Sequence, residues 1–427
     1  MHREIIHQLQ NWKSQKKRKP LIINGARQVG KSWIVKYFGE KFYSGNIHII
    51  NFEKRRNIHS IFDVDFDVNR ILSELELLLN ITFNKKEDLI FFDEIQTCPS
   101  ALVALRYFYE DAPDVHLIAA GSLLDFEFRN IPYPVGRVQT LNMHPMTFYE
   151  FLVAKGKDKI AALLKSPDSP TSPTIQSTLY NELQQYFVIG GMPECVSEYL
   201  ENSNMENVHQ LQDELLYSFS RDFKKYQPLV NNDCLNDILL NSSKRIGNQT
   251  IYSKLSDRFS NPTIKKGVEV LIKARLLHKV TNVSVSGLPL STSGNRFKLF
   301  YLDIGLLMRK SNFRYEEDFL SRNLIASYKG GLAEQFVAQQ MIATQTDPLS
   351  YWSNTKPGTS SEVDFIIVRK GEILPIEVKF GKSGALKSLH ILLNTQNHIS
   401  KAIVLSQSQQ GEVDKISFVP IFHAGFI

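Results

Sequence analysis

The chain is 427 residues long, more than one ordinary core accommodates, so two or three domains are expected. A hydrophobic share of 43% with 22% charged residues excludes a disordered or fibrous chain, and a formal net charge of +6 mildly favours a polyanionic partner without deciding for one. Cys98, Cys195 and Cys234 are too scattered for a disulfide framework or zinc knuckle, and neither a secretory signal nor the ~18 apolar residues of a membrane span can be read, so a cytoplasmic location is expected.

An amphipathic helix is expected over 2–16, with Ile5, Ile6, Leu9 and Trp12 on one face, ahead of the basic cluster Lys16, Lys17, Arg18 and Lys19. Short apolar runs follow at 21–24, 47–52, 89–92, 115–120 and 138–142. Helical patterns lie between them, notably over 31–38, 68–79 and 101–109. Buried strands alternating with helices predict a mostly parallel sheet covered on both faces.

Gly25-Ala26-Arg27-Gln28-Val29-Gly30-Lys31-Ser32 fits GxxxxGK[ST] between a predicted strand and a predicted helix. The glycines let backbone N–H groups converge on phosphates at the positive end of a helix dipole. Lys31 is expected to reach the β- and γ-phosphates of ATP, and Ser32 to ligate Mg²⁺. The run 89–92 ends in Asp93 and Glu94, at the end of a strand where open α/β sheets bind ligands. Asp93 is read as the Mg²⁺ holder and Glu94 as the group that polarises the attacking water. Ser122, after the run 117–121, either senses the γ-phosphate or positions the water, or else it caps the next helix. Arg137 is an arginine-finger candidate or a plain surface arginine, and the sequence leaves open whether it acts in cis or in trans.

After residue 151 the alternation stops. The proline-punctuated segment 166–174 has the composition of an exposed linker, and the pattern is then mainly helical to about residue 277. Gly190-Gly191, followed by Pro193, reads as a tight turn. Short helices are expected over 236–243, 250–259 and 263–274, the third introduced by Ser260-Asn261-Pro262-Thr263 and carrying Lys265, Lys266, Lys273 and Arg275. In a helix-turn-helix that element enters the DNA major groove; alternatively Val268, Val270, Leu271 and Ile272 pack a core and the lysines are only solvated. Strands are expected over 280–286 and 296–302.

The last hundred residues read as a helix over 331–343 with Glu334 in its first turn, strands at 349–352, 362–368 and 374–379, a helix over 385–393 and a strand over 402–405. This αβββαβ order, with Asp364 on one strand and Glu377-x-Lys379 on the next, resembles the PD-(D/E)xK nuclease core. The resemblance implies Mg²⁺ held by Asp364, Glu377 and Glu334 beside a scissile phosphate, with Lys379 as the catalytic lysine. The alternative is an ordinary Glu–Lys pair in a fold without activity.

The motifs GARQVGKS, FFDEIQ, AAGS and HPMTFYEFL, followed by Gly190-Gly191-Met192-Pro193-Glu194, Arg221-Asp222 and the segment 298–306, resemble a family over nearly the whole chain. It is that of the AAA+-type P-loop ATPases of archaea and bacteria that carry a C-terminal domain of unknown function. The resemblance implies an α/β protein in three parts: an AAA+-like P-loop NTPase domain with a parallel sheet (1–165), a helical and winged-helix-like domain (176–315) and a restriction-endonuclease-like domain (326–427). ATP binding and hydrolysis with Mg²⁺ are expected, with DNA as the target and oligomers compatible. The alternative is an ATP-dependent switch that binds a protein partner, its C-terminal domain being an inactive docking fold.

Overall fold

Leu21, Ile22 and Ile23 are wholly buried, so the strand they form has no solvent face and must lie inside a sheet covered on both sides. The computed structural model describes residues 1–122, 136–223, 230–311, 330–345, 347–356, 359–379, 386–408 and 410–427. They form two compact units, 1–144 and 145–427.

In the first unit β1 (Leu21–Asn24), β2 (Ile47–Asn51), β3 (Leu89–Asp93), β4 (His116–Gly121) and β5 (Gln139–Asn142) make a five-stranded sheet in the order β2-β3-β4-β1-β5. Every pairing is parallel. The helices are α1 (Ile5–Lys13), α2 (Lys31–Phe42), α3 (His59–Val64), α4 (Val68–Leu79) and α5 (Pro99–Asp111). The leading helix is shorter than the 2–16 expected, because Ser14 already caps it and the chain then turns so that Lys19 accepts from the Trp12 indole at 2.7 Å. Asp67 caps α4 by accepting from the N–H groups of Asn69 and Arg70, and Asn80 ends it in the left-handed region. One side of the sheet is filled by Phe52, Phe62, Phe92 and Phe108, whose rings meet edge to face around Phe92 at 5.3–5.9 Å. Register pairs Asn51 with Asp93, Asp93 with Ala120 and Asn24 with Gly121, so the carboxyl ends of four strands finish level with one another.

The second unit begins with helices. Ser172 caps α6 (Pro173–Ile189), which starts inside the segment expected as a linker because Pro173 suits a first helical position. After two further helices, Pro193–Asn202 and Met205–Asp222, come α7 (Asn232–Ser243) and α8 (Asn261–Lys273), which approach closely where Gly267 meets Ile238. The helix expected over 250–259 is absent. A single 3₁₀ turn, Tyr252–Lys254, stands there, because Thr250 pairs with Phe297 as a β-bridge and holds the chain extended. The hairpin β6 (Leu277–Ser284) and β7 (Ser291–Tyr301) follows. It joins α9 (Gly331–Thr344), β8 (Ser350–Lys356), β9 (Thr359–Arg369), β10 (Glu372–Val378), α10 (Lys387–Thr395), β11 (Ala402–Ser406), β12 (Gly411–Val413) and β13 (Ile416–Pro420). All these strands make one sheet, β12-β13-β11-β10-β9-β8-β6-β7, so a single sheet runs through both 176–315 and 326–427.

The Gly190-Gly191 turn has a structural cause. Asp303, fully buried, accepts from the N–H groups of Gly191 at 2.6 Å and Leu306 at 3.1 Å and from the Gln339 amide at 3.1 Å. A Cβ on Gly190, at φ +79°, would lie 2.1 Å from the Asp303 carboxylate. Among the described residues no helix is long and apolar enough to cross a membrane.

Candidate nucleotide site and carboxylate cluster

The P-loop turns from β1 into α2 with Gln28 and Gly30 at positive φ, +62° and +95°. Gly25 is required by packing as well, since a Cβ there would stand 2.4 Å from the Met143 carbonyl oxygen beyond β5. Lys31 opens α2 only 8% exposed, its ammonium donating to the carbonyls of Gly25 at 3.0 Å and Ala26 at 2.8 Å. Burial pushes its pKa down to about 8; the Glu94 and Asp93 carboxylates oppose the fall and Arg27 adds to it.

Ser32 donates its hydroxyl to both oxygens of Asp93, at 2.9 and 3.1 Å, and the Asn51 amide donates to Asp93 at 3.2 Å. Burial raises the Asp93 pKa and Glu94 adds to the rise, against the hydrogen bonds from Ser32 and Asn51. Glu94 leaves the strand at φ +52°, and Gln96 donates to its carboxylate at 2.6 Å. Ser122 is buried just past β4 and accepts from the Arg27 guanidinium at 3.4 Å. The helix it was offered as capping lies outside the described residues.

The structure thus brings Lys31, Ser32, Asp93, Glu94, Arg27 and Ser122 to one edge of the sheet. It adds Asn51 and Gln96, and Asn24, whose buried Oδ1 has no hydrogen-bond partner. Asn24 and Asn51 each end an apolar strand, which is the signal that would have found them. Arg137 is not brought there. It precedes β5 at the amino end of the sheet, where Gln139 pairs with Leu21, and it donates to Glu110 at 2.7 Å while 45% exposed. These residues fit a nucleotide with its cation: a half-buried hydroxyl and a buried carboxylate lie side by side as hard oxygen donors, and the ammonium beside them is met only by P-loop carbonyls.

The acids of the second unit are differently arranged. Lys298, on β7, has a fully buried side chain. Its ammonium donates to Glu334 at 2.8 Å and Asp364 at 3.3 Å and is also paired with Glu362. The second Asp364 oxygen accepts from the Val378 N–H at 2.8 Å, and the second Glu362 oxygen from the Gln249 amide at 2.5 Å. Glu377 pairs with Lys379 at 2.6 Å, leaving its buried Oε2 without a partner. Burial, then Asp364, raise the Glu377 pKa to about 7 against the pull of Lys379. Burial also raises Glu334, while Glu334, Asp364 and Glu362 outweigh burial at Lys298 and hold it charged.

The expected metal set Glu334, Asp364 and Glu377 is therefore not assembled as one. Among the described residues, the one group of three His, Cys, Asp or Glu donor atoms within 4.8 Å of one another is His2, Glu4 and His7, in the first unit. The acids of this cluster do not fit a divalent cation as they stand, because an ammonium fills the space they surround. Lys298 and Glu362 were not singled out from the sequence as site residues; a lysine inside the apolar run Phe297-Lys298-Leu299-Phe300 and the repeat Glu362-x-Asp364 were the available signals.

Residues 17–152 match the family model described as "AAA domain". They form an AAA-type P-loop ATPase domain. Beyond the ATPase domain, residues 180–317 and 329–423 match two models each described as a domain of unknown function, DUF8612 and DUF4143. The chain is similar to an uncharacterized protein of Haemophilus influenzae, 21% identical in an alignment of 421 positions that covers 93% of this chain and 92% of that one. It is also similar to an uncharacterized protein of Methanocaldococcus jannaschii, 24% identical in an alignment of 315 positions that covers 71% of this chain and 65% of the relative. Among solved structures it is similar to a Walker-type ATPase of Pyrococcus abyssi, with 17% identity, TM-score 0.45 and coverage of 72% and 95%. A second is the Thermotoga maritima RuvB Holliday junction branch migration motor, with 15% identity, TM-score 0.31 and coverage of 65% and 89%.

Proposed function

We propose that the chain is a Mg²⁺-dependent ATPase that acts on DNA. The observation that carries hydrolysis is the convergence of Lys31, Ser32, Asp93 and Glu94 at the carboxyl edge of a parallel sheet. Bound Mg-ATP supplies the phosphoanhydride and a cation that neutralises its charge. Ser32 and Asp93 are the residues to hold the cation, and the backbone N–H groups of 27–32 hold the phosphates. Lys31, turned from the Gly25 and Ala26 carbonyls, sets its charge against the β- and γ-oxygens. The Glu94 carboxylate, oriented by Gln96, accepts a hydrogen bond from the attacking water and receives its proton. Ser122, tied to Arg27, steadies the γ-phosphate. Arg137 is a surface arginine or a finger for a neighbouring copy.

Action on DNA is supported by the order helix, turn, helix, hairpin over 232–301, a winged-helix order, and by exposed Lys265 and Lys266 on α8 and exposed Arg296 on the hairpin. Fluorescence anisotropy of labelled duplex DNA over a salt series tests it. The Lys265→Ala/Lys266→Ala variant is expected to bind more weakly at every sequence, with a salt slope smaller by about 1–2. An absence of salt-sensitive binding by the wild type would remove DNA as the target. The second reading, a switch for a protein partner with an inactive C-terminal fold, is favoured by one observation: two of the three acids that a nuclease would need, Glu334 and Asp364, are engaged by Lys298.

A further inference from the structure

Lys298 is unusual in its setting. A wholly buried lysine is costly unless its charge is fully paired, and this one is met by carboxylates from two different elements, Glu334 in the first turn of α9 and Glu362 and Asp364 on β9. An ammonium has three N–H donors and no acceptor, and three carboxylates receive them. The outer oxygens of two of the acids are fixed by internal donors, Val378 N–H on Asp364 and Gln249 on Glu362. Gly247 closes over the third: a Cβ there, at φ +74°, would come 2.9 Å from Glu334 Oε1. The carboxylates are therefore built around the ammonium rather than around an ion-sized gap.

We infer that Lys298 is a resident cation standing where a divalent metal would otherwise be held by Glu334, Glu362 and Asp364, so that this cluster binds no divalent ion until the ammonium is removed. The inference goes beyond the ATPase reading and holds whether or not the chain hydrolyses ATP. Lys298 ties β7, β9 and the first turn of α9 together by charge, and the cluster is a cross-brace of the second unit. Removing the ammonium while keeping the side chain's length, as in Lys298→Met, leaves three carboxylates with hard oxygen donors and no counter-charge. Such a set recruits a divalent cation.

The test is Mn²⁺ binding to the full chain without nucleotide, read from the loss of the free-ion electron paramagnetic resonance signal. Wild type, Asp364→Asn, Lys298→Met and Lys298→Met/Asp364→Asn are compared, so any site elsewhere contributes equally to all four. Lys298→Met is expected to hold one more Mn²⁺ than wild type, weakened roughly tenfold or more when Asp364→Asn is added. Wild type and Asp364→Asn are expected to bind alike. A Mn²⁺ in the wild type that disappears with Asp364→Asn overturns the inference, and that comparison stands even if Lys298→Met fails to fold. A Lys298→Met chain with native circular dichroism and no additional ion overturns it too.

Discussion

Lys31 and Glu377 are both buried charges, and their environments move them in directions that fix distinct pH dependences. Burial lowers Lys31 from 10.5 to about 8. For a base whose folded pKa lies below its unfolded one, the folded state is penalised in full below about 8 and not at all above 10.5, so this group's contribution to stability improves with rising pH across that window. A phosphate at the ammonium restores the charged form. ATP binding near about pH 9 is thus expected to take up protons, and affinity to fall as pH rises past about 8. Titration calorimetry in two buffers of different ionisation heat checks this; a buffer-independent heat for the wild type would contradict it. Glu377 moves from 4.5 up to about 7. An acid raised on folding favours the folded state at low pH, fully below 4.5, and that advantage is lost as pH rises through about 7. Glu377→Gln is expected to stabilise the chain by roughly 1–3 kcal/mol at about pH 8 and to flatten this part of the profile, measured by denaturant unfolding at about pH 5 and 8. An unchanged profile would show that the glutamate is ionised throughout.

Whole elements rest on single close approaches. The turn after α6 passes so near Asp303 that Gly190 has no space for a Cβ, whereas Gly156, also at positive φ, has nothing within 4 Å. Gly190→Ala is expected to cost about 2–4 kcal/mol in unfolding free energy and Gly156→Ala about 1, compared by chemical denaturation. Equal costs would mean that the Asp303 knot yields freely. The same contrast explains what could be read from the sequence. The strands at 21–24 and 89–93 were legible because both faces are buried and each ends in a polar residue at the sheet's edge, and the P-loop and Asp93-Glu94 follow from them. The αβββαβ order at the end of the chain was legible from its period. The 250–259 segment was not, because a single bridge to Phe297 overrides its local pattern. Nor was the role of Lys298, whose partners stand 36 and 66 residues away along the chain, one on a helix and one on a strand that β7 does not pair with.

At the scale of the molecule, the nucleotide residues all fall within 1–144 and the carboxylate cluster within 145–427, so the two centres belong to different compact units. The central proposal, ATP hydrolysis by the first unit, depends on Glu94 as the proton acceptor and Lys31 as the phosphate clamp. Steady-state phosphate release from Mg-ATP by wild type, Lys31→Ala and Glu94→Gln, alongside ATP binding by each, tests it most directly. Glu94→Gln is expected to keep binding and lose about 10²-fold or more in turnover, while Lys31→Ala loses both. Turnover by Glu94→Gln at the wild-type rate, or a wild type that binds Mg-ATP and releases no phosphate, would contradict it.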